Sequence, residues 1–269
     1  MASASIQSWL EALRGWTGAG DPPSPASAGL ARPGGPALQR AWGPEAAGAL
    51  GGAGALAPYL DHTLLRPDAT EADVLQLARE AREHGLGGAC VHPVHVATLV
   101  RALGDAAVEP VSVVGFPHGA HLSETKLFEA RRAADEGARA VDVVAPLGRL
   151  RAGDAERVLA ELRALVLTLA PVPVRIILET GLLPRGAVVL GAGLALVAGC
   201  DSVKTSTGYG GPGARAEDVA LLRAVVGREL GVKASGGIRS AEQARALIAA
   251  GASRLGTSGS LELLGAEGR

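Results

Sequence analysis

From about residue 58 the chain moves between two hydrophobic rhythms. Short β-branched or apolar runs recur near 59–62, 88–92, 110–115, 140–145, 173–179, 201–206, 231–235 and 253–257, and each reads as a buried strand. Between most of them lie stretches with apolar positions at helical spacing, such as 71–84, 124–136, 154–169, 216–229 and 241–250. Strands that alternate with helices run parallel, and eight such units in one domain close on themselves. The pattern therefore predicts an α/β fold, a single (β/α)8 TIM barrel. An open doubly wound sheet is the competing arrangement. It often carries a Gly-rich turn after its first strand, where this chain has Asp61-His62-Thr63-Leu64-Leu65.

Local signals mark several helix ends. Asp68 and Thr70 precede Glu71, and Ser240 precedes Ala241-Glu242-Gln243, so both starts have capping candidates with acids in the first turn. Gly85, Gly137 and Gly251 follow helical runs and fit C-terminal caps. The apolar stretch 186–200 reads as a buried helix, being shorter than the roughly 20 residues that span a bilayer.

Residues 1–47 break the pattern. Asp21-Pro22-Pro23-Ser24-Pro25 and Arg32-Pro33-Gly34-Gly35-Pro36 are linker-like, and Ala and Gly fill much of the rest. Only Ile6, Trp9, Leu10 and Leu13 recur at helical spacing, after Ser3 and Ser5 as capping candidates. The expectation is a flexible low-complexity extension over 1–47, its short helix frayed rather than docked, followed by the barrel over 48–265. Met1 is the sole Met, so a start further downstream at a non-ATG codon would be invisible.

A chain of 269 residues suits one barrel. With 26 basic against 27 acidic residues, the net charge of −1 supplies no field for nucleic acid or an anionic membrane. Cys90 and Cys200 form no CxxC or disulfide framework, and no basic segment followed by an apolar core opens the chain. A cytoplasmic location, small-molecule partners and no membrane are expected.

Only three of the cationic residues are Lys, and two of them, Lys204 and Lys233, sit in strand runs. Arg never loses its proton, whereas a desolvated Lys becomes a neutral amine that attacks carbonyls. Lys126, in a polar helical stretch, reads as solvated. Strand alternation sends Asp142, within Val141-Asp142-Val143-Val144, to the face opposite its Val neighbours, and separates both Lys from theirs in the same way. If the Val residues pack under the helices, all three charges enter the barrel and must meet, because an unpaired buried charge is costly. A buried ion pair that merely holds register is the plain alternative. Two amines beside one carboxylate also suit Schiff-base chemistry. Neutralising a Lys near pH 7 needs a shift of roughly 3 units, about 4 kcal/mol, and a second ammonium with partial desolvation pushes that way. Asp142 would shuttle protons. Which Lys is the nucleophile stays open at this point.

Barrel chemistry sits at the C-terminal strand ends, where Asp61, Cys90, Glu179 and Thr180 are further candidates. Ser235-Gly236-Gly237-Ile238-Arg239 and Gly256-Thr257-Ser258-Gly259-Ser260 follow the last two strands, the loops from which barrels commonly build a phosphate cradle, and Thr207-Gly208-Tyr209-Gly210-Gly211 could add donors. His92 and His95, like His118 and His121, are spaced for a metal but lack a further ligand, so polar roles in helix or loop are expected of them and no metal site. Cys90 reads as a small core residue or a pocket wall.

The Asp61–Leu65 and Val141–Val144 motifs, with Val203-Lys204-Thr205-Ser206-Thr207-Gly208 and Val232-Lys233-Ala234-Ser235-Gly236-Gly237-Ile238-Arg239, resemble the deoxyribose-phosphate aldolases over about residues 50–262. The resemblance implies a class I lyase that reversibly cleaves 2-deoxy-D-ribose 5-phosphate to acetaldehyde and D-glyceraldehyde 3-phosphate, with neither metal nor cofactor. It implies Lys204 as the Schiff-base lysine, with Asp142 and Lys233 as the proton relay. Substrate contacts are expected at Asp61, Thr63, Cys90 and Thr207. Phosphate contacts are expected at Gly208, Gly236, Gly237, Arg239, Gly256, Ser258 and Gly259. The partners are then a sugar phosphate and aldehydes, in a homo-oligomer. Tyr209 stands where the family often has Lys or Phe, and Gly259 where a second Ser is common, which implies an altered grip on phosphate. Some members end in a Tyr thought to assist proton transfer, whereas this chain ends Ala266-Glu267-Gly268-Arg269, and the extension matches no part of the family pattern. Other readings are a lysine-imine barrel resembling thiazole synthase and a non-catalytic sugar-phosphate sensor. The Asp motif and the paired strand Lys speak against both.

Overall fold

The structure, a computed structural model, describes residues 4–30 and 56–267. Eight parallel strands close into a barrel in chain order: β1 Leu60–Leu64, β2 Gly88–Val91, β3 Glu109–Val114, β4 Ala140–Val144, β5 Val174–Ile177, β6 Ser202–Lys204, β7 Gly231–Ser235 and β8 Arg254–Thr257. Each overlaps a run expected from sequence. The helices are α1 Ala4–Gly15, ahead of the barrel, then α2 Glu71–Glu83, α3 Val96–Leu103, α4 Ser123–Asp135, α5 Leu147–Arg151, α6 Ala155–Leu169, α7 Arg185–Ala198, α8 Ala216–Val226, α9 Ala241–Ala249 and α10 Ser260–Glu267.

Strand alternation builds two environments. Val141, Val143, Val203 and Val232 face outward into the main apolar core under the helices. Asp142, Lys204 and Lys233 face inward, with a small apolar cluster of Leu65, Cys90, Val111, Val113 and Ala140. Thr70 caps α2 in a reciprocal capping box with Asp73, and Ser240 caps α9 by accepting the Gln243 N–H at 3.1 Å. Among the described residues no helix is long and apolar enough to cross a membrane.

Two expectations need correction. Lys126 is fully buried, not solvated: its Nζ donates to Glu161 Oε1 on α6 and to the Val144 carbonyl, each at 2.8 Å. The α4 face that carries it packs on α6, and a helical neighbourhood of polar residues does not reveal a partner 35 positions away. The second correction concerns residues 4–30, expected as part of a flexible extension. Helix α1 and the turn Pro25–Ala28 pack on α7 and α8, burying Ile6, Trp9 and Leu10. The cause is α7, which is apolar on every face; the barrel covers one side and the other still needs a lid. Trp9 supplies it. Its indole lies so close to Gly193 that a Cβ there would sit 2.2 Å from the ring, and its Nε1 donates to the Pro23 carbonyl at 2.8 Å. Ser24 ties the turn to the Val225 carbonyl at 3.1 Å. The run Arg32–Pro36, the boundary at 47/48 and the final Gly268-Arg269 lie outside the described residues.

Candidate active site

The inward side chains form a charged column. At its floor, Arg175 of β5 and Arg254 of β8 both donate to Glu109 Oε2 of β3, the Arg254 contact being 2.8 Å. Above them Asp61 of β1 accepts from Arg175 at 3.4 Å through Oδ2, and its Oδ1, without a hydrogen-bond partner, lies 3.3 Å from Arg254 in an ion pair. Lys233 stands on Asp61, its Nζ 2.5 Å from Oδ2, and reaches Asp142 Oδ2 at 2.8 Å. Lys204, paired across the sheet with Lys233, contacts that same Asp142 oxygen at 2.8 Å. Asp142 Oδ1 is buried without a hydrogen-bond partner, and Arg175 lies 3.9 Å from it.

This arrangement sets the charge states. Burial alone would raise the Asp61 pKa, but Arg254, Lys233 and Arg175 hold it at about 2. Asp142 is likewise driven below the carboxylate range, with burial opposing and Lys204, Lys233 and Arg175 prevailing. Burial also opposes the charge on Lys233, yet Asp142 and Asp61 raise its pKa above the usual lysine value. Lys233 is therefore a fixed ammonium gripped by two carboxylates. Lys204 shares one of those carboxylates and sits beside the fixed charge. Burial pushes the Cys90 thiol up to about 11, so it is a neutral wall of the column.

Above the lysines opens a cavity of about 760 Å³. Of the residues expected to touch substrate, Thr63, Thr207, Gly208, Gly236, Gly237, Arg239, Gly256, Ser258 and Gly259 line it, whereas Asp61 and Cys90 lie within the column. The loops after β6 and β7 meet backbone to backbone. A Cβ on Gly236 would be 3.2 Å from Gly208 Cα and from Gly213 Cα, and one on Gly213 would be 2.0 Å from the Gly236 carbonyl oxygen. Two of the lining loops run directly into the N-termini of α9 and α10, whose partial positive ends suit an anion.

Sequence reading missed Arg66 and Glu262 as cavity lining, and the whole floor of the column; Ser235 and Thr257 line the cavity within the two runs expected to form the phosphate loops. Arg66 and Glu262 are brought in by barrel closure, which no local pattern encodes. The floor did leave a signal, because Arg175 and Arg254 are single charges within strands, as the lysines are. Tyr209 lines the cavity too, and its hydroxyl donates to the Leu65 carbonyl at 2.8 Å. His92 Nε2 reaches the same carbonyl at 2.9 Å, and Phe116 stacks edge-on against both rings. His62 lies outside the column between Glu80 and Ser260. Among the described residues no three His, Cys, Asp or Glu side chains are grouped to hold a metal.

Residues 56–265 match the profile of the DeoC/LacD family of aldolases. The chain is 46% identical over 220 residues to a deoxyribose-phosphate aldolase of Micrococcus luteus, covering 79% of this chain and 96% of that one. Among solved structures it resembles the tetrameric deoxyribose phosphate aldolase of Aeropyrum pernix, with a TM-score of 0.75, 37% identity and coverage of 82% and 95%. A protein from Coccidioides immitis, whose assignment as a deoxyribose-phosphate aldolase is provisional, superposes with a TM-score of 0.82 at 32% identity over 98% of each chain. That coverage takes in residues of the N-terminal segment, which lies outside the 56–265 that match the family.

Proposed function

The chain belongs to the DeoC/LacD family of aldolases, and we propose that its chemistry runs through Lys204 as the Schiff-base amine, with Asp142 and Lys233 relaying protons beside it. The enzyme is a class I lyase that reversibly cleaves 2-deoxy-D-ribose 5-phosphate to acetaldehyde and D-glyceraldehyde 3-phosphate. The observation that carries the assignment of roles is the single Asp142 oxygen 2.8 Å from both lysine nitrogens.

Lys233, held by two carboxylates, is an ammonium at rest and a proton source for the relay, which leaves Lys204 as the amine that adds to the sugar. The neutral amine adds to the aldehyde carbon of the open-chain sugar. Asp142 and Lys233, working through water, protonate the departing hydroxyl as the carbinolamine becomes an iminium. A base takes the proton from the C3 hydroxyl, the bond between carbons 2 and 3 breaks, and its electron pair flows into the iminium. Glyceraldehyde 3-phosphate leaves. The remaining enamine takes a proton on carbon 2, and water releases acetaldehyde and restores Lys204. The mouth loops at Gly208, Gly236, Gly237, Arg239, Gly256, Ser258 and Gly259 hold the phosphate, while Thr63 and Thr207 face the sugar. Asp61 acts on the substrate through Lys233.

A homo-oligomer is supported by the tetrameric relative, and a cytoplasmic location by two cysteines that form no disulfide. The decisive experiment is intact-mass spectrometry after borohydride reduction in the presence of acetaldehyde or deoxyribose 5-phosphate. The expected result is one reduced adduct on Lys204 that is absent from Lys204→Arg. An active, folded enzyme with no lysine adduct would overturn the mechanism.

A further inference from the structure

The column accounts for the inward charges except one buried carboxylate that stands apart from it. Glu179 follows β5, is 1% exposed, and has no cation within ion-pair distance among the described residues. Its backbone is left-handed, with φ 47° and ψ 61°, the only positive φ of a non-glycine residue among those described. A side chain in that region costs free energy, and it persists only where the surroundings dictate it.

Here they do. On one side Leu178 N–H donates to the Lys204 carbonyl at 2.9 Å, and on the other Thr180 N–H donates to the Thr205 carbonyl at 2.9 Å. Thr180 is held further by Asp218, which accepts its hydroxyl at 2.9 Å. The kink between these anchors turns the Glu179 carboxylate toward the loop after β6. Its Oε2 accepts both the backbone N–H of Thr207, at 3.0 Å, and the Thr207 hydroxyl. With its proton committed there, Thr207 Oγ1 has lone pairs for the Tyr209 N–H at 3.0 Å. Glu179 thus closes the turn around Gly208, whose φ is +88°. Gly210 closes over the carboxylate, where a Cβ would come within 3.1 Å.

We infer that Glu179 is a positioning residue for phosphate recognition: through Thr207 it fixes the Gly208 turn, and so sets the enzyme's preference for phosphorylated over unphosphorylated sugar. The inference rests on the reading of the mouth loops as the phosphate cradle. A carboxylate is suited to this because it only accepts. An amide can still accept both Thr207 protons through its oxygen, but its NH2 then falls where Glu179 Oε1 is buried without a partner.

The test is steady-state cleavage of deoxyribose 5-phosphate and of unphosphorylated deoxyribose by wild type, Glu179→Gln and Glu179→Gly, alongside borohydride trapping with acetaldehyde. Glycine adopts the left-handed backbone without strain, so it separates the carboxylate from the fold. Both variants should raise KM for the phosphorylated sugar about tenfold, the loss of roughly one well-placed hydrogen bond. Their kcat/KM for deoxyribose should fall severalfold less than that for the phosphorylated sugar, while their trapping by acetaldehyde and, for the glycine variant, the melting temperature should stay near wild type. Equal losses on both sugars, no change on either, or unfolding of both variants would overturn the inference and leave Glu179 to the fold. A wild type that traps acetaldehyde yet does not discriminate between the sugars would instead overturn the phosphate reading beneath it.

Discussion

Lys126 and Lys204 are both buried, and both place their nitrogen 2.8 Å from a carboxylate oxygen, yet one is structure and the other chemistry. Among the described residues Lys126 is the one amine on Glu161, whose other oxygen accepts from Ser123 Oγ at 2.5 Å, and has the Val144 carbonyl as a second acceptor, in a seam between α4 and α6. Its ammonium therefore has no second amine to compete with. Lys204 shares Asp142 with a second ammonium that has a further carboxylate below, so it is the weaker claimant on the shared oxygen, and its strand runs directly into Thr207 and Gly208 of the cavity wall. Burial therefore does not identify a reactive lysine. The ratio of amines to carboxylates, and access, do.

The widest separation between the two sites should come from Lys204→Arg, which keeps the charge and cannot form an imine. Turnover of deoxyribose 5-phosphate should fall by at least about 10³-fold with the circular dichroism spectrum unchanged. Residual activity within tenfold of wild type would erase the distinction. Lys126→Met should do the opposite, lowering unfolding free energy by about 3–5 kcal/mol, because it strands the Glu161 carboxylate in the seam, while kcat of the folded enzyme holds. Lys126→Met combined with Glu161→Leu should recover most of that stability in denaturant titrations. A double variant as unstable as the single would mean that the pair itself, rather than its imbalance, holds α4 to α6.

The smallest effect is in acid. Asp61 has a folded pKa of about 2 against 3.8 for the free group. Its contribution, about 2–3 kcal/mol by linkage, is fully present above pH 4 and lost as pH falls towards 2, and Asp142 acts in the same direction. Lys126 slopes the same way in a different window: burial lowers its pKa despite Glu161, so its site gains stability as pH rises towards the unfolded value of 10.5. Denaturation midpoints measured from pH 5 down to 2 should drop less in Asp61→Asn than in wild type. Parallel curves would remove Asp61 from the acid limb.

What could be read ahead of the structure followed from periodicity. A period of two, repeated in eight runs, is enough for the barrel, and it sends Asp142, Lys204 and Lys233 to one face whatever the rest of the chain does. The same rule applied to Val174-Arg175-Ile176 and Ser253-Arg254-Leu255 sends both guanidiniums to that face and marks the floor of the column. The burial of Lys126 is not legible locally, because a helix face is assigned by its neighbours and its partner sits on another helix. The positive φ of Glu179 left no trace in composition, since it is imposed by bonds to Lys204 and Thr205 on the adjoining strand. In the N-terminal segment, the helical spacing of Ile6, Trp9, Leu10 and Leu13 was visible. Its docking followed from a second visible fact, that α7 has no polar side, and the two had to be read together.

The seat of Trp9 carries a consequence in time. The segment leaves the ribosome well before α7 and α8, and the bond from Ser24 to Val225 closes across 201 positions. Through most of synthesis its indole has nowhere to go, and closing so long a loop gains nothing until the barrel beneath is nearly complete. A contact made that late does little to hasten folding, but it must break for the finished enzyme to open. The segment acts as a latch fitted last, and what it sets is how long the native barrel lasts.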